Sequence, residues 1–131
     1  MSEIRANTVS NAAGTGPVTL TGQSAAKAWV DLNGSGTVAV RNSFNVASVT
    51  DNGTGRYQLN LSNAFSAKDF AFSGSCGTDY FGNSSLRTSN PDMVNGSASA
   101  FEMLTSYIVS GSNRTSVDEE WALGIAHGDL A

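Results

Sequence analysis

The sequence predicts an all-β chain, an antiparallel β-sandwich or barrel-like body with an extended N-terminal β-arm, and three observations carry that expectation. First, only 14% of the 131 residues are charged, against about 25% in a typical soluble domain. Its polarity comes from Gly, Ser, Thr and Asn, which suit strands joined by small turns. Second, short runs with apolar residues at alternate positions recur about every 10 residues, each closed by a turn signal. Third, a helix bundle would draw about half of its residues from Ala, Glu, Lys, Leu and Arg, which this composition does not supply. The length fits one domain.

Residues 1–24 contain no aromatic side chain and four sizeable aliphatic ones, Ile4, Val9, Val18 and Leu20. Such a stretch cannot build a core. Two β-prone pieces, Asn7–Ser10 and Val18–Thr21, flank Gly14-Thr15-Gly16-Pro17, so an extended arm that completes its hydrogen bonding on another subunit is expected rather than a disordered tail. The body is then 25–131. Ala28–Leu32 runs into Asn33-Gly34-Ser35-Gly36 and on to Thr37–Val40, which reads as a hairpin. Val46–Thr50, the turn Asp51-Asn52-Gly53-Thr54-Gly55 and the alternating Tyr57, Leu59 and Leu61 read as a second hairpin with one buried face. Phe70 and Phe72 start the next strand, Tyr80-Phe81 belongs to it or to its loop, and Leu86 begins a short piece before the turn Asn90-Pro91-Asp92. Ala98–Val109 is the longest apolar stretch and is ambiguous in type. Trp121, Leu123 and Ile125 alternate in the closing strand.

The formal charge of −4 and the seven dispersed Lys and Arg residues oppose nucleic-acid binding, which needs clustered cations. No window approaches the roughly 18 apolar residues of a membrane helix. The N-terminus lacks the apolar run of a secretory signal, and a single cysteine excludes an internal disulfide, so cytosolic synthesis is expected.

Candidate sites are weighed against simpler roles. Asp31-x-Asn33-x-Ser35-Gly36 matches the start of a calcium loop, but position 12 falls on Asn42 where a bidentate Glu is needed, so it reads as a turn. Asp51-Asn52-Gly53 reads the same way. His127 has no nucleophile elbow to serve and reads as a surface or subunit-contact residue. Glu119-Glu120 reads as a solvated strand start, since adjacent strand residues face opposite sides and cannot straddle one glycosidic bond. Cys76 lacks a histidine neighbour or CxxC partner and reads as a small, partly buried residue. Trp29 and Trp121 read as core residues. Tyr80 and Phe81, in a Gly/Ser/Asn-rich stretch, are candidates for a contact surface that stacks on sugars or protein. No catalytic residue, metal or cofactor is expected.

The run EIRANTVSNAAGTGPVTLTGQSAAKAWVDLNGSGTVAVRNSFNVASVTDNGTGRYQLNLSNAF resembles a module of tailed bacteriophages, chiefly marine ones, found in tail-fibre and other virion proteins. VDEEWALGIAHGD is similar to its closing strand, whereas residues 66–112 depart from the pattern. The resemblance implies a virion structural part, usually trimeric in such appendages, and transfers no catalytic residues. The first expectation is therefore a homotrimeric, non-enzymatic decoration or head- or tail-fibre protein. It would be made in the bacterial host cytoplasm and fastened to the virion's capsid or tail proteins through Ile4, Val9, Val18 and Leu20. The second is a host-receptor or glycan-binding module using Tyr80 and Phe81.

Overall fold

Turn chemistry sets the order of the chain. In the computed structural model, which describes residues 25–77, 87–92, 96–110 and 113–131, Asn33 accepts the Ser35 amide at 3.2 Å and Asp51 accepts the Gly53 amide at 2.9 Å. Each side chain bends the backbone at the tip of a hairpin. The first hairpin joins β1 (Ala28–Asn33) to β2 (Ala39–Phe44), and the second joins β3 (Val46–Asp51) to β4 (Arg56–Leu61). Gly53 and Gly55 carry φ of 116° and 66°, values that side chains resist.

Nine strands occur among the described residues, with no helix. The remaining five are β5 (Ala71–Gly77), β6 (Arg87–Asp92), β7 (Ala100–Ser110), β8 (Asn113–Ser116) and β9 (Trp121–His127). They form two antiparallel sheets, β2-β1-β9-β5 and β3-β4-β7-β6, with β8 alongside the far half of β7. The ambiguous stretch Ala98–Val109 is thus strand β7. Asn90-Pro91-Asp92 is not a turn but the end of β6, paired with Leu104, Met103 and Glu102. Proline is tolerated there because β6 is an edge strand.

The chain passes from the first sheet to the second at Asn45, whose φ of 58° turns the corner between β2 and β3. Its side-chain amide donates to the carbonyls of Lys27 and Asn63, and its Oδ1 accepts the Asn63 amide at 2.7 Å. The core lies between the sheets. Val30 and Leu32 of β1 and Ala122 and Ala126 of β9 face Tyr57, Leu59, Phe101 and Met103 of the second sheet. Phe65 stacks on Phe70 at 4.6 Å, and Phe70 and Phe72 lean on Phe101 at 4.8 and 5.5 Å. Full burial of side chains this size contributes about 1.5–3 kcal/mol each. The expected arm, with Ile4, Val9, Val18 and Leu20, lies outside the described residues, as do Tyr80 and Phe81.

Candidate functional site

The aromatic interior dictates how β9 is oriented. A Cβ on Gly124 would sit 2.6 Å from the Phe72 ring and 3.1 Å from the Met103 sulfur, so only a residue without one fits there. Its neighbours on the same face, Ala122 and Ala126, are buried. Strand alternation then sends Trp121, Leu123 and Ile125 to the outside. They keep 36%, 40% and 37% of their surface exposed.

Pairing extends these side chains into an apolar face. Phe44, Trp29, Ile125 and Ser73 form one row across the sheet, and Asn42, Asp31, Leu123 and Ser75 form the next. Phe44 is 52% exposed. Between the rows lies a shallow groove of about 450 Å³, lined by Trp29, Asp31, Ser73, Ser75, Leu123 and Ile125. A β-bulge closes one end of the face. Between Asp31 and Leu32 the register to β2 skips Arg41, and the guanidinium swings over the Trp121 ring, 3.9 Å from its centre. It also donates to the carbonyls of Leu32 and Glu120, at 3.1 and 2.6 Å, and lies 3.4 Å from Asp31. The bulge therefore places the Arg41 cation where it reaches both the Trp121 ring and these carbonyls.

The outer face of the second sheet is different in kind. Gln58 donates to Asn60, which donates to Ser48 and Thr50. Beside them, buried Glu102 accepts from Arg56 at 2.8 Å and from Asn52 at 3.1 Å. Hydrogen bonds are already satisfied on that side. Apolar side chains are left uncovered on the other, the kind of surface from which contact sites are often built.

The structure corrects two expectations at this site. Trp121 is not a core residue, and Trp29 is half-buried on the outward face, because the interior positions of β1 and β9 are taken by smaller side chains. Glu119 is not solvated: it is fully buried where the chain enters β9, while Glu120 is exposed. Asp31 and Asn33 engage Arg41 and the Ser35 amide, as a hairpin requires. Cys76 is half-buried opposite Ala122, and His127 is half-buried at the end of β9. Sequence reasoning missed Arg41, Phe44, Leu123 and Ile125 as surface groups. The available signal was Ala122, Gly124 and Ala126, whose small size marks the face pressed against an aromatic interior. No protein-family model, curated protein or solved structure matches the chain.

Proposed function

We propose that this chain is a structural, non-enzymatic component of a tailed-bacteriophage virion, a small homotrimeric decoration or a head- or tail-fibre part. It works by assembling with its own copies and with other virion proteins. One observation supports assembly above all: Trp121, Leu123 and Ile125 are held outward on a sheet whose interior face at Gly124 has no room even for a Cβ. The virion setting is supported by the resemblance of the hairpin segments to phage modules. Mass measurement of the full chain in solution is expected to give three copies, and imaging of the particle is expected to place it at symmetric capsid or tail positions. A stable monomer, in solution and on the particle, would reject the reading.

A second reading makes the body a host-receptor or glycan-binding module. It draws on the groove beside Trp29, where an indole and the polar groups of Asp31, Ser73 and Ser75 lie together, a combination that suits sugar rings. Glycan-array binding lost in a Tyr80→Ala, Phe81→Ala double variant or in Trp29→Ala would favour it.

A further inference from the structure

We infer that the outer face of the sheet β2-β1-β9-β5 is the seat of residues 1–24 from a neighbouring copy, with Val18 and Leu20 set against Leu123 and Ile125. This rests on the assembly reading above and specifies its interface.

Size favours a segment over a second whole body. Phe44, Trp121, Leu123 and Ile125 keep between 36% and 52% of their surface, and at about 150–250 Å² per large side chain they leave roughly 330 Å² uncovered. A stable interface between two folded bodies takes about 800 Å² from each partner. The apolar part of the face alone falls short of that, and it suits a short extended peptide. The spacing also agrees. Leu123 and Ile125 are two residues apart on one strand, and Val18 and Leu20 are two residues apart in the sequence, so in extended form both pairs repeat at about 6.6 Å. Asp31, Asn42, Ser73 and Ser75 share the face and offer partners for the peptide's backbone groups.

The length of the segment allows it to reach a neighbour. The Lys27 amide bonds the Ala126 carbonyl at 2.9 Å, and the chain bends there, so residues 25 and 26 have already left the strand where residues 1–24 join them. Twenty-four residues span up to about 80 Å, enough to reach the next copy. Charge offers no obstacle, because the segment holds one acidic and one basic side chain, Glu3 and Arg5.

The test compares the full chain with Leu123→Thr, Ile125→Thr and a chain lacking residues 2–24, whose body keeps the whole of the core described above. Thr keeps β-propensity at these exposed positions, and circular dichroism checks the fold. Sedimentation is expected to show the full chain assembled, each Thr variant weakened about tenfold or more in Kd, the truncated chain monomeric, and no further loss when truncation and Thr variants are combined. In a Cys76→Ser background, Leu20→Cys with Leu123→Cys is expected to form an interchain disulfide. A truncated chain that still assembles, and is dissociated by the Thr variants, would give the face to a second body. An intrachain disulfide would give it to the molecule's own segment. Thr variants that assemble normally while truncation dissociates the protein would overturn this seat and leave the assembly reading standing. A monomeric full chain would remove both.

Discussion

Gly124 decides which side of β9 is inside, and it does so through the Phe72 ring and the Met103 sulfur, which occupy the space a Cβ would need. Gly124→Ala is therefore expected to lower stability by about 1–3 kcal/mol, the usual cost of overpacking, and Gly124→Val by more, read as a fall in the urea midpoint. Tyr57 shows a second constraint of the same kind. Its hydroxyl lies where a Cβ on Gly34 would fall, and it donates to Asp118 Oδ1 at 3.0 Å, an atom that also accepts the Gly55 amide at 2.7 Å. Burial first, and the hydrogen bond to the Asp118 carboxylate second, push the phenol pKa well above its ordinary value. A raised pKa in the folded state means that the neutral phenol is the stabilised form. Its contribution is complete below the unfolded tyrosine value of about 10 and is lost as pH climbs past it. Chemical denaturation across alkaline pH is expected to show stability declining above about pH 10. Tyr57→Phe should reduce that decline while costing about 1 kcal/mol at neutral pH. An unchanged alkaline profile in the variant would assign the decline to other groups.

Strands bounded by their own turn residues are legible in the amino-acid sequence. Asn33-Gly34 and Asp51-Asn52-Gly53 mark both hairpins, because these side chains hydrogen-bond the backbone two residues on wherever the chain bends. The same logic misplaces Asn90-Pro91-Asp92, since proline also suits an edge strand and only the sheet order reveals that β6 is one. The direction of β9 is hidden for a different reason. Ala122 and Ala126 are apolar as well, so both faces of the strand read as core, and the choice depends on Phe72 and Met103, which come from distant parts of the sequence. The arm and Tyr80-Phe81, favoured as sites by composition and spacing, lie outside the described residues, so the apolar sheet face is the site that the structure adds. The corner between the hairpins is invisible in the sequence too, because it depends on Asn45 holding Lys27 and Asn63, each 18 residues away. Asn45 combines a left-handed conformation with three hydrogen bonds to backbone groups. Asn45→Ala should thus cost about 2–3 kcal/mol, from strain plus lost bonds, whereas Asn45→Gly should recover the strain part of about 1 kcal/mol. Equal urea midpoints for the two variants would show that the left-handed backbone at this corner carries no strain.

At the scale of the whole molecule, the two outer faces divide the work: one is a network of hydrogen bonds that includes the Arg56–Glu102 ion pair, and the other is an apolar groove. That division sets how assembly should respond to salt. The cation on the apolar face, Arg41, is committed within its own chain to Trp121, Asp31 and the carbonyls of Leu32 and Glu120. An incoming segment with one charge of each sign would meet little unpaired charge there. Raising the ionic strength from about 0.1 to 1 M shortens the screening length from about 10 to 3 Å and removes most interactions between exposed charges. Copies of a chain with net charge −4 repel one another, so screening should help association slightly rather than hinder it. Sodium chloride is therefore expected to change the Kd of assembly by no more than about threefold, and sulfate, which strengthens apolar burial, to tighten it further. Leu123→Thr should weaken assembly at every salt concentration by about the same factor, because the lost contact is apolar. If sodium chloride instead weakened assembly tenfold or more, ionic contacts would be holding the copies together, and the acidic surface outside this face would have to contain the interface.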